Sequence, residues 1–429
     1  MNKIYNPKKE DWNAILKRPT KTVADIESTV NQVFEEVQKN GDSVLRKYTK
    51  KFDGVQIENF LVDKIEIENA SNLLSNDLKS AIQLAKKNIE TFHTAQKTTR
   101  ITVETSPGVE CWQEKRPIQK VGLYIPGGTA PLFSTILMLA VPATIAGCSE
   151  VVLCSPPNKE GKIHPAILYT ARLCGVTKIF KVGGIQAIAA MTFGTESVPQ
   201  VYKIFGPGNQ YVTVAKQIAT KHGVAIDMPA GPSELLVVAD DSANPAFIAS
   251  DLLSQAEHGI DSQVILVTTS KQTLEDVERE IDSQLKELPR KEIAEQAIAN
   301  SKLIYISDEK AAQELINQYG PEHYIICMKN ETSYIENIAN AGSVFIGNYT
   351  PESAGDYASG TNHTLPTNGY AKQYSGVNLD SFLKSMTFQK ISKLGIQNIG
   401  NAIELMAEAE GLQAHRNAVA LRLKQIENE

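Results

Sequence analysis

No Cys-x-x-Cys pair occurs in the 429 residues, and the five cysteines (Cys111, Cys148, Cys154, Cys174 and Cys327) are odd in number. That pattern excludes a disulfide scaffold and reads as core thiols in a reducing compartment. Long apolar runs are missing too: the longest, Ile136 to Ala143, is broken by Pro142 and is far shorter than a membrane span. The opening Met1-Asn2-Lys3-Ile4-Tyr5-Asn6-Pro7 lacks the apolar core of a signal peptide, so a soluble, cytoplasmic protein is expected. Basic residues are spread and the net charge is -6, which disfavours a nucleic-acid groove or an anionic membrane surface and leaves a small molecule as the partner. Neither G-x-G-x-x-G nor H-E-x-x-H is present, so no single motif announces a dinucleotide or a zinc site.

What is present is a chain too long for one core, in which at least two domains are expected. From Val23 to about Gln96 the pattern is helical, with Val23, Ile26, Val30, Val33 and Val37 at helical spacing up to Lys39-Asn40-Gly41. Asp42 and Ser43 offer a cap to a second helix, and Asp77 to Gln96 reads as a third. At Val121 the texture changes to a short apolar run and a glycine-rich turn, Val121 to Gly128, followed by the helical Phe133 to Ala146. This βα unit repeats after Glu150-Cys154, Lys178-Val182 and Tyr202-Phe205, the last two strands ending in Gly183-Gly184 and Gly206-Pro207-Gly208-Asn209. A second βα series has strands near Glu234-Val238, Gln263-Thr268, Leu303-Ile306, Tyr324-Met328 and Ser343-Ile346. The expectation is an α/β fold of two doubly wound, Rossmann-like parallel-sheet domains with helical terminal segments, ligands sitting at the carboxyl ends of the strands. The boundaries read as 1-116 (helical), 117-232 (first α/β domain), 233-380 (second) and 381-429 (helical arm). The Pro/Gly-rich junction Asp227 to Glu234 is where a cleft is expected.

The stretch Ser254-Gln255-Ala256-Glu257-His258-Gly259 closes a helix that begins after Asn244-Pro245. Its apolar stripe, Ile248 and Leu252, continues into Gln255 and, one residue off, His258, so two polar side chains point inward. A buried amide and imidazole need partners, and either a backbone carbonyl or a metal ion would serve. Four of the seven histidines, His258, His323, His363 and His415, fall in the C-terminal half. His415 interrupts the stripe of Leu412, Val419, Leu423 and Ile426 much as His258 does. His258, His415, Asp356 and Gln255 would make a zinc set of nitrogen and oxygen donors. Glu322-His323 sets a carboxylate beside an imidazole at the entry to a strand, where alternation sends them to opposite faces. Between Pro351 and Thr367 there is almost no apolar periodicity, which reads as a long functional loop carrying Asp356 and His363.

Gly122-Leu-Tyr-Ile-Pro-Gly-Gly128, Gly206-Pro-Gly-Asn209, Ala230-Gly-Pro-Ser-Glu234, Gln255-Ala-Glu-His258, Gly320-Pro-Glu-His323, Ser353-Ala-Gly-Asp-Tyr-Ala-Ser-Gly-Thr-Asn-His363 and Glu410-Gly-Leu-Gln-Ala-His415 together resemble the motifs of the histidinol dehydrogenase family, in the family's order. The resemblance implies oxidation of L-histidinol to L-histidine through L-histidinaldehyde, with NAD and one Zn2+ per subunit. It implies that Gln255, His258, Asp356 and His415 hold the zinc, and that these four with Ser233, His323, His363 and Glu410 hold the substrate. Glu322 and His323 become the acid/base pair, and Tyr124, Gln186 and Asn209 line the NAD site. A homodimer whose C-terminal arm reaches the partner's site is implied as well. Two other readings stand beside this one: a zinc hydrolase with Glu322 as general base, and a two-domain solute binder with a structural metal.

Overall fold

A computed structural model describes residues 1-19, 24-127 and 131-429; Val23 and Gly128 of the expectations above lie outside the described residues. In chain order the strands are β1 (Asn2–Tyr5), β2 (Ile101–Ser106), β3 (Val109–Pro117), β4 (Lys120–Tyr124), β5 (Glu150–Ser155), β6 (Lys178–Lys181), β7 (Lys203–Phe205), β8 (Ala225–Ile226), β9 (Glu234–Ala239), β10 (Gln263–Thr268), β11 (Lys302–Tyr305), β12 (His323–Cys327), β13 (Ser343–Ile346) and β14 (Leu383–Ile391). Contacts divide the chain into two units, one of Met1–Ala95 with Ile118–Ser381 and one of Gln96–Pro117 with Phe382–Glu429.

The first unit holds two parallel sheets, as expected of a doubly wound α/β fold. One is five-stranded in the order β6-β5-β4-β7-β8, the other six-stranded in the order β1-β11-β10-β9-β12-β13. Apart from the edge strand β1, both sheets place their strands third, second, first, fourth, fifth in chain order, so each has a switch point beside its first strand. The apolar runs explain why the strands were legible: Val121, Leu123, Val152, Leu153, Leu235 to Val238 and Val264 to Val267 are buried on both faces. β1 was not expected; Asn2 to Tyr5 pairs with Lys302 to Tyr305 as a parallel edge. It is short, and its residues are mostly exposed, so no hydrophobic pattern marks it.

Helices cover the sheets. Ile26, Val30, Val33 and Val37 of the helix Ala24–Asn40 pack into the core of the five-stranded sheet, as their spacing requires. Gly41 follows at φ 50, and a side chain there would strike the Glu196 carboxylate. Gly41, not Asp42 or Ser43, is the N-cap of Asp42–Phe52, because Asp42 is drawn away to accept from the Ser197 backbone N–H and hydroxyl. The third expected helix is present as Asn76–Thr94.

In the second unit β14, β3 and β2 form an antiparallel sheet, and the helices Lys393–Ala409 and Gln413–Glu427 follow. The helices were expected and the sheet was not. Ile101, Val103, Met386 and Ile391 of its strands are exposed among charged neighbours, so alternation gives no buried face to detect. Leu423 of the last helix lies against Gly400 of the one before it, where a Cβ would intrude.

One buried ion pair ties the N-terminal segment of the first unit to β9. Arg18 donates through Nη2 to Glu234 (2.9 Å) and to the Tyr319 carbonyl (3.0 Å), and its guanidinium lies 4.0 Å from the Tyr319 ring centre. Removing one partner of such a pair leaves a buried charge and costs about 3 to 5 kcal/mol. Arg18→Met is expected to lower the urea midpoint accordingly, and Arg18→Met with Glu234→Gln to recover part of the loss. A double variant no more stable than the single one would contradict this.

Candidate active site

Ser233 and Glu234 close the Pro/Gly-rich junction and open β9, while Glu322 and His323 open β12, the neighbouring parallel strand. Glu234 touches both members of the second pair through its backbone. Its N–H donates to Glu322 Oε2 (2.8 Å), and its carbonyl lies 2.9 Å from His323 Nδ1. A carbonyl only accepts, so Nδ1 carries the hydrogen and Nε2 keeps its lone pair. That Nε2 is buried without a hydrogen-bond partner, 3.7 Å from Glu352 Oε1 and 3.8 Å from Asp356 Oδ1. Burial lowers the His323 pKa, opposed by the Glu352 carboxylate, so the ring is neutral and free to take a proton. Burial raises Glu322 well above the usual carboxylate range, with the carboxylates of Glu234, Asp356 and Glu352 adding to it.

Alternation would part Glu322 from His323, yet both line one cavity of about 390 Å3. Glu322 precedes the strand, so the pleat does not govern its direction. Ser233, Gln255, His258, Asp356 and His363 line the same cavity. Gln255 is the last buried polar residue of the helix Pro245–Ala256, and both its amide atoms are buried without partners. His258 follows in the turn beyond that helix, open to the cleft, with Nδ1 3.3 Å from Ser233 Oγ. Desolvation by the cleft walls and the imidazoles of His323 and His363 bring its pKa down to about 4. His363 Nδ1 donates to the Asp356 carbonyl (2.9 Å), and its Nε2 accepts from the Thr135 hydroxyl (3.1 Å).

The segment expected to be a long functional loop contains a helix, Glu352–Tyr357, and its fourth-spaced acids Glu352 and Asp356 both turn inward. No apolar periodicity marks it because its inward residues are carboxylates. Glu352 accepts from Ser254 Oγ (3.1 Å), leaves Oε1 unpartnered, and is raised to about 8 by burial. His323, Glu352 and Asp356 form the one cluster of three or more His, Cys, Asp or Glu among the described residues that could hold an ion, their ligand atoms within 4.8 Å of one another. Gln255, with both amide atoms unpartnered, and His258 and Asp356 lining the same cavity offer nitrogen and oxygen donors of the kind that fits zinc.

The cavity lies at the carboxyl ends of the five-stranded sheet and the amino ends of the six-stranded one. From the first come Tyr124, Gly127 and Gly206-Pro207-Gly208-Asn209; from the second come Ser233 and Glu322-His323. The cavity meets the carboxyl ends of the strands, where a ligand was expected, in one sheet only. Gly206 sits at φ 132 with the Tyr124 carbonyl where a Cβ would be, so only glycine permits this approach of β7 to β4. Its N–H donates to Asp227 (2.8 Å) and its carbonyl accepts from Lys216 (2.8 Å), and these two side chains form a buried ion pair.

Tyr124, Gly127 and Asn209 also line a second cleft of about 860 Å3, continuous in lining with the first. Gln186 and Asp53 lie in it. The Tyr124 hydroxyl accepts from the Gly184 N–H (3.1 Å), and burial raises its pKa to about 12. Asn209 caps the helix Gln210–Lys221 by accepting from the backbone of Tyr211 and Val212.

A sequence model of the family described as histidinol dehydrogenase matches residues 16–423. The histidinol dehydrogenase of Bacteroides thetaiotaomicron is 59% identical over 426 residues, covering 99% of this chain and 100% of its own. That of Escherichia coli (strain K12) is 53% identical over 430 residues, 98% of both chains. The crystal structure of histidinol dehydrogenase from Elizabethkingia anophelis superposes with a TM-score of 0.97 at 55% identity, covering 100% of this chain and 99% of that one. The chain belongs to the histidinol dehydrogenase family. It is an oxidoreductase of histidine biosynthesis.

Of the residues expected for a histidinol dehydrogenase site, the first unit gathers Ser233, Gln255, His258, Glu322, His323, Asp356 and His363 in one cavity, with Tyr124 and Asn209 on its border and Gln186 beyond. Glu410 and His415 belong to the second unit, where both are exposed. Two acids escaped the sequence reading, Glu352 and Asp53. The first had a signal, its spacing of four from Asp356 within one short segment; Asp53, among lysines at the end of a helix, had none. Among the described residues no helix is long and apolar enough to cross a membrane.

Proposed function

We propose that the chain oxidises L-histidinol to L-histidine through L-histidinaldehyde in the cytoplasm, with NAD and one Zn2+ per subunit. The observation that carries this reading is the pairing around Glu234: a buried carboxylate and a buried imidazole with a bare Nε2, held side by side in a cavity of about 390 Å3. Gln255, His258 and Asp356, with His415, would hold the zinc. Zinc bound there would anchor the imidazole and amine of the substrate, and NAD would accept a hydride at each oxidation. His323 takes the proton of the substrate alcohol at Nε2, and again that of the aldehyde hydrate. Glu322 takes the proton of the water that forms the hydrate. Ser233, His363 and Glu410 hold the substrate, and enclosure by the cleft walls keeps the aldehyde from bulk water. Tyr124, Gln186 and Asn209 line the dinucleotide path.

The assembly proposed is a homodimer in which the C-terminal arm completes the partner's site. In support, the second unit exposes Leu394, Leu405, Met406 and Leu421 on its two helices and Leu412 in the turn between them, apolar side chains that a partner surface would cover.

Two outcomes check these assignments. In Glu322→Gln the amide oxygen still accepts from the Glu234 N–H, so the fold is kept while the base is lost. A single turnover of histidinol is expected to yield its first NADH at near the parent rate, and supplied histidinaldehyde to be oxidised about 100-fold more slowly. Equal loss in both steps would remove Glu322 from the water step. His258→Ala and His415→Ala chains, each inactive alone, are expected to regain about a quarter of full activity when unfolded together and reassembled, because half the dimers are mixed and each has one intact site. No recovery would mean that each chain builds its site alone.

A further inference from the structure

In dinucleotide folds whose strands lie third, second, first, fourth, fifth, the acid that binds the adenosine ribose follows the second strand. The five-stranded sheet has this order, and its second strand, β5, ends at Ser155 and runs into Pro156-Pro157-Asn158. No carboxylate stands there. The next acid, Glu160, is exposed and does not line the cleft of about 860 Å3 that opens at this end of the sheet.

A carboxylate does reach the cleft from outside the sheet. Asp53 follows the helix Asp42–Phe52, and its backbone N–H bonds to the Thr49 carbonyl (2.9 Å), so the helix end does not need its side chain. Asp53 Oδ2, Ser155 Oγ and Gln186 Oε1 are each buried without a hydrogen-bond partner, and all three residues line this cleft. Ser155 and Gln186 are almost fully buried, at 0% and 1% exposure. Orphaned atoms of this kind are costly unless something pairs with them. A carboxylate, an amide oxygen and a hydroxyl accept more than they donate, which suits a pair of ligand hydroxyls and opposes a phosphate. Burial raises the Asp53 pKa to about 6, so the group is still largely ionised at pH 8.

The direction of the ligand follows from the shared lining. Tyr124, Gly127 and Asn209 border both cavities, so the reacting nicotinamide end lies toward His323 and the far end, beside Asp53, takes the adenosine half. Lys51, Lys159 and Lys162 also line the far cleft. Cations there attract the diphosphate of the dinucleotide, but they would draw a 2′-phosphate equally well, so another group must make the choice between NAD and NADP.

Resting on the NAD-linked reading above, we propose that Asp53 accepts the adenosine ribose hydroxyls of NAD and by its charge excludes the 2′-phosphate of NADP. Asp53 thereby does from a neighbouring helix what the second strand of the sheet does elsewhere. It touches the cofactor far from the reacting atoms, so it sets binding and selectivity and leaves the chemical step alone.

The test uses the zinc-loaded, full-length enzyme with histidinol and compares parent with Asp53→Asn for both nucleotides. Loss of one charged hydrogen bond is expected to raise KM for NAD roughly tenfold or more with kcat within about twofold, and to narrow the preference for NAD over NADP at least about tenfold. Fluorescence titration with NADH and NADPH in the absence of histidinol should show the same narrowing. The amide variant carries no buried charge, so its thermal midpoint should be no lower than the parent's. Parent-like KM and parent-like nucleotide preference in Asp53→Asn would overturn the assignment. If the parent itself makes no NADH from histidinol, the dehydrogenase reading fails, and the two nucleotide titrations still decide the role of Asp53.

Discussion

Glu234 is the residue on which the arrangement of Glu322 and His323 depends. Through one peptide unit on either side of its Cα it holds the carboxylate of Glu322 and the Nδ1–H of His323, and its own carboxylate is held by Arg18 and by the Asn368 N–H (2.7 Å). Backbone groups in a parallel ladder cannot change rotamer. The register that pairs His323 with Leu235 therefore fixes Glu322 and His323 more tightly than side-chain contacts alone would. Arg18 comes from a segment that no strand or helix pattern connects to the site. Its charge is what makes a fully buried glutamate tolerable at that point.

Two sheets of the same strand order meet the cavity with opposite ends. The five-stranded sheet offers the carboxyl ends of its strands and their glycine turns, which is where backbone approaches a dinucleotide most closely. The six-stranded sheet offers amino ends, so its residues enter the cavity where their strands begin, and Glu322, lying just before β12, can turn to the same cavity as His323. The division suits a reaction with two ligands. On the function proposed above, one sheet would build the cofactor path, and the other would place the proton-transfer groups and the polar atoms that fit a metal.

Most of the two sheets was legible because their strands are buried on both faces and read as unbroken apolar runs between glycine turns. Where burial is one-sided or absent the same reasoning fails. β1 is short and exposed, β2 and β14 show water several of their apolar residues, and β3 is mostly polar, so hydropathy carries no period there. The helix Glu352–Tyr357 fails for a different reason, since its inward face is made of carboxylates that a hydrophobic pattern counts as surface. Gln255 and His258 were visible because they interrupt an apolar stripe. Glu234, at the end of a motif, gave no sign of its partners, because the bonds it makes reach across more than two hundred residues to Arg18 and 88 residues to Glu322.

On the proposed function, this cavity performs two successive oxidations on one bound molecule. The decisive measurement is the NADH formed, followed by absorbance, when a limiting amount of histidinol is consumed by the zinc-loaded protein with excess NAD at alkaline pH. Two NADH for each histidinol and no released aldehyde are expected. One NADH with free histidinaldehyde would contradict the role given to Glu322. No NADH at all, with hydrolysis of an amide or ester substrate in its place, would favour the zinc hydrolase and set aside the dehydrogenase mechanism derived from Glu234 and its neighbours.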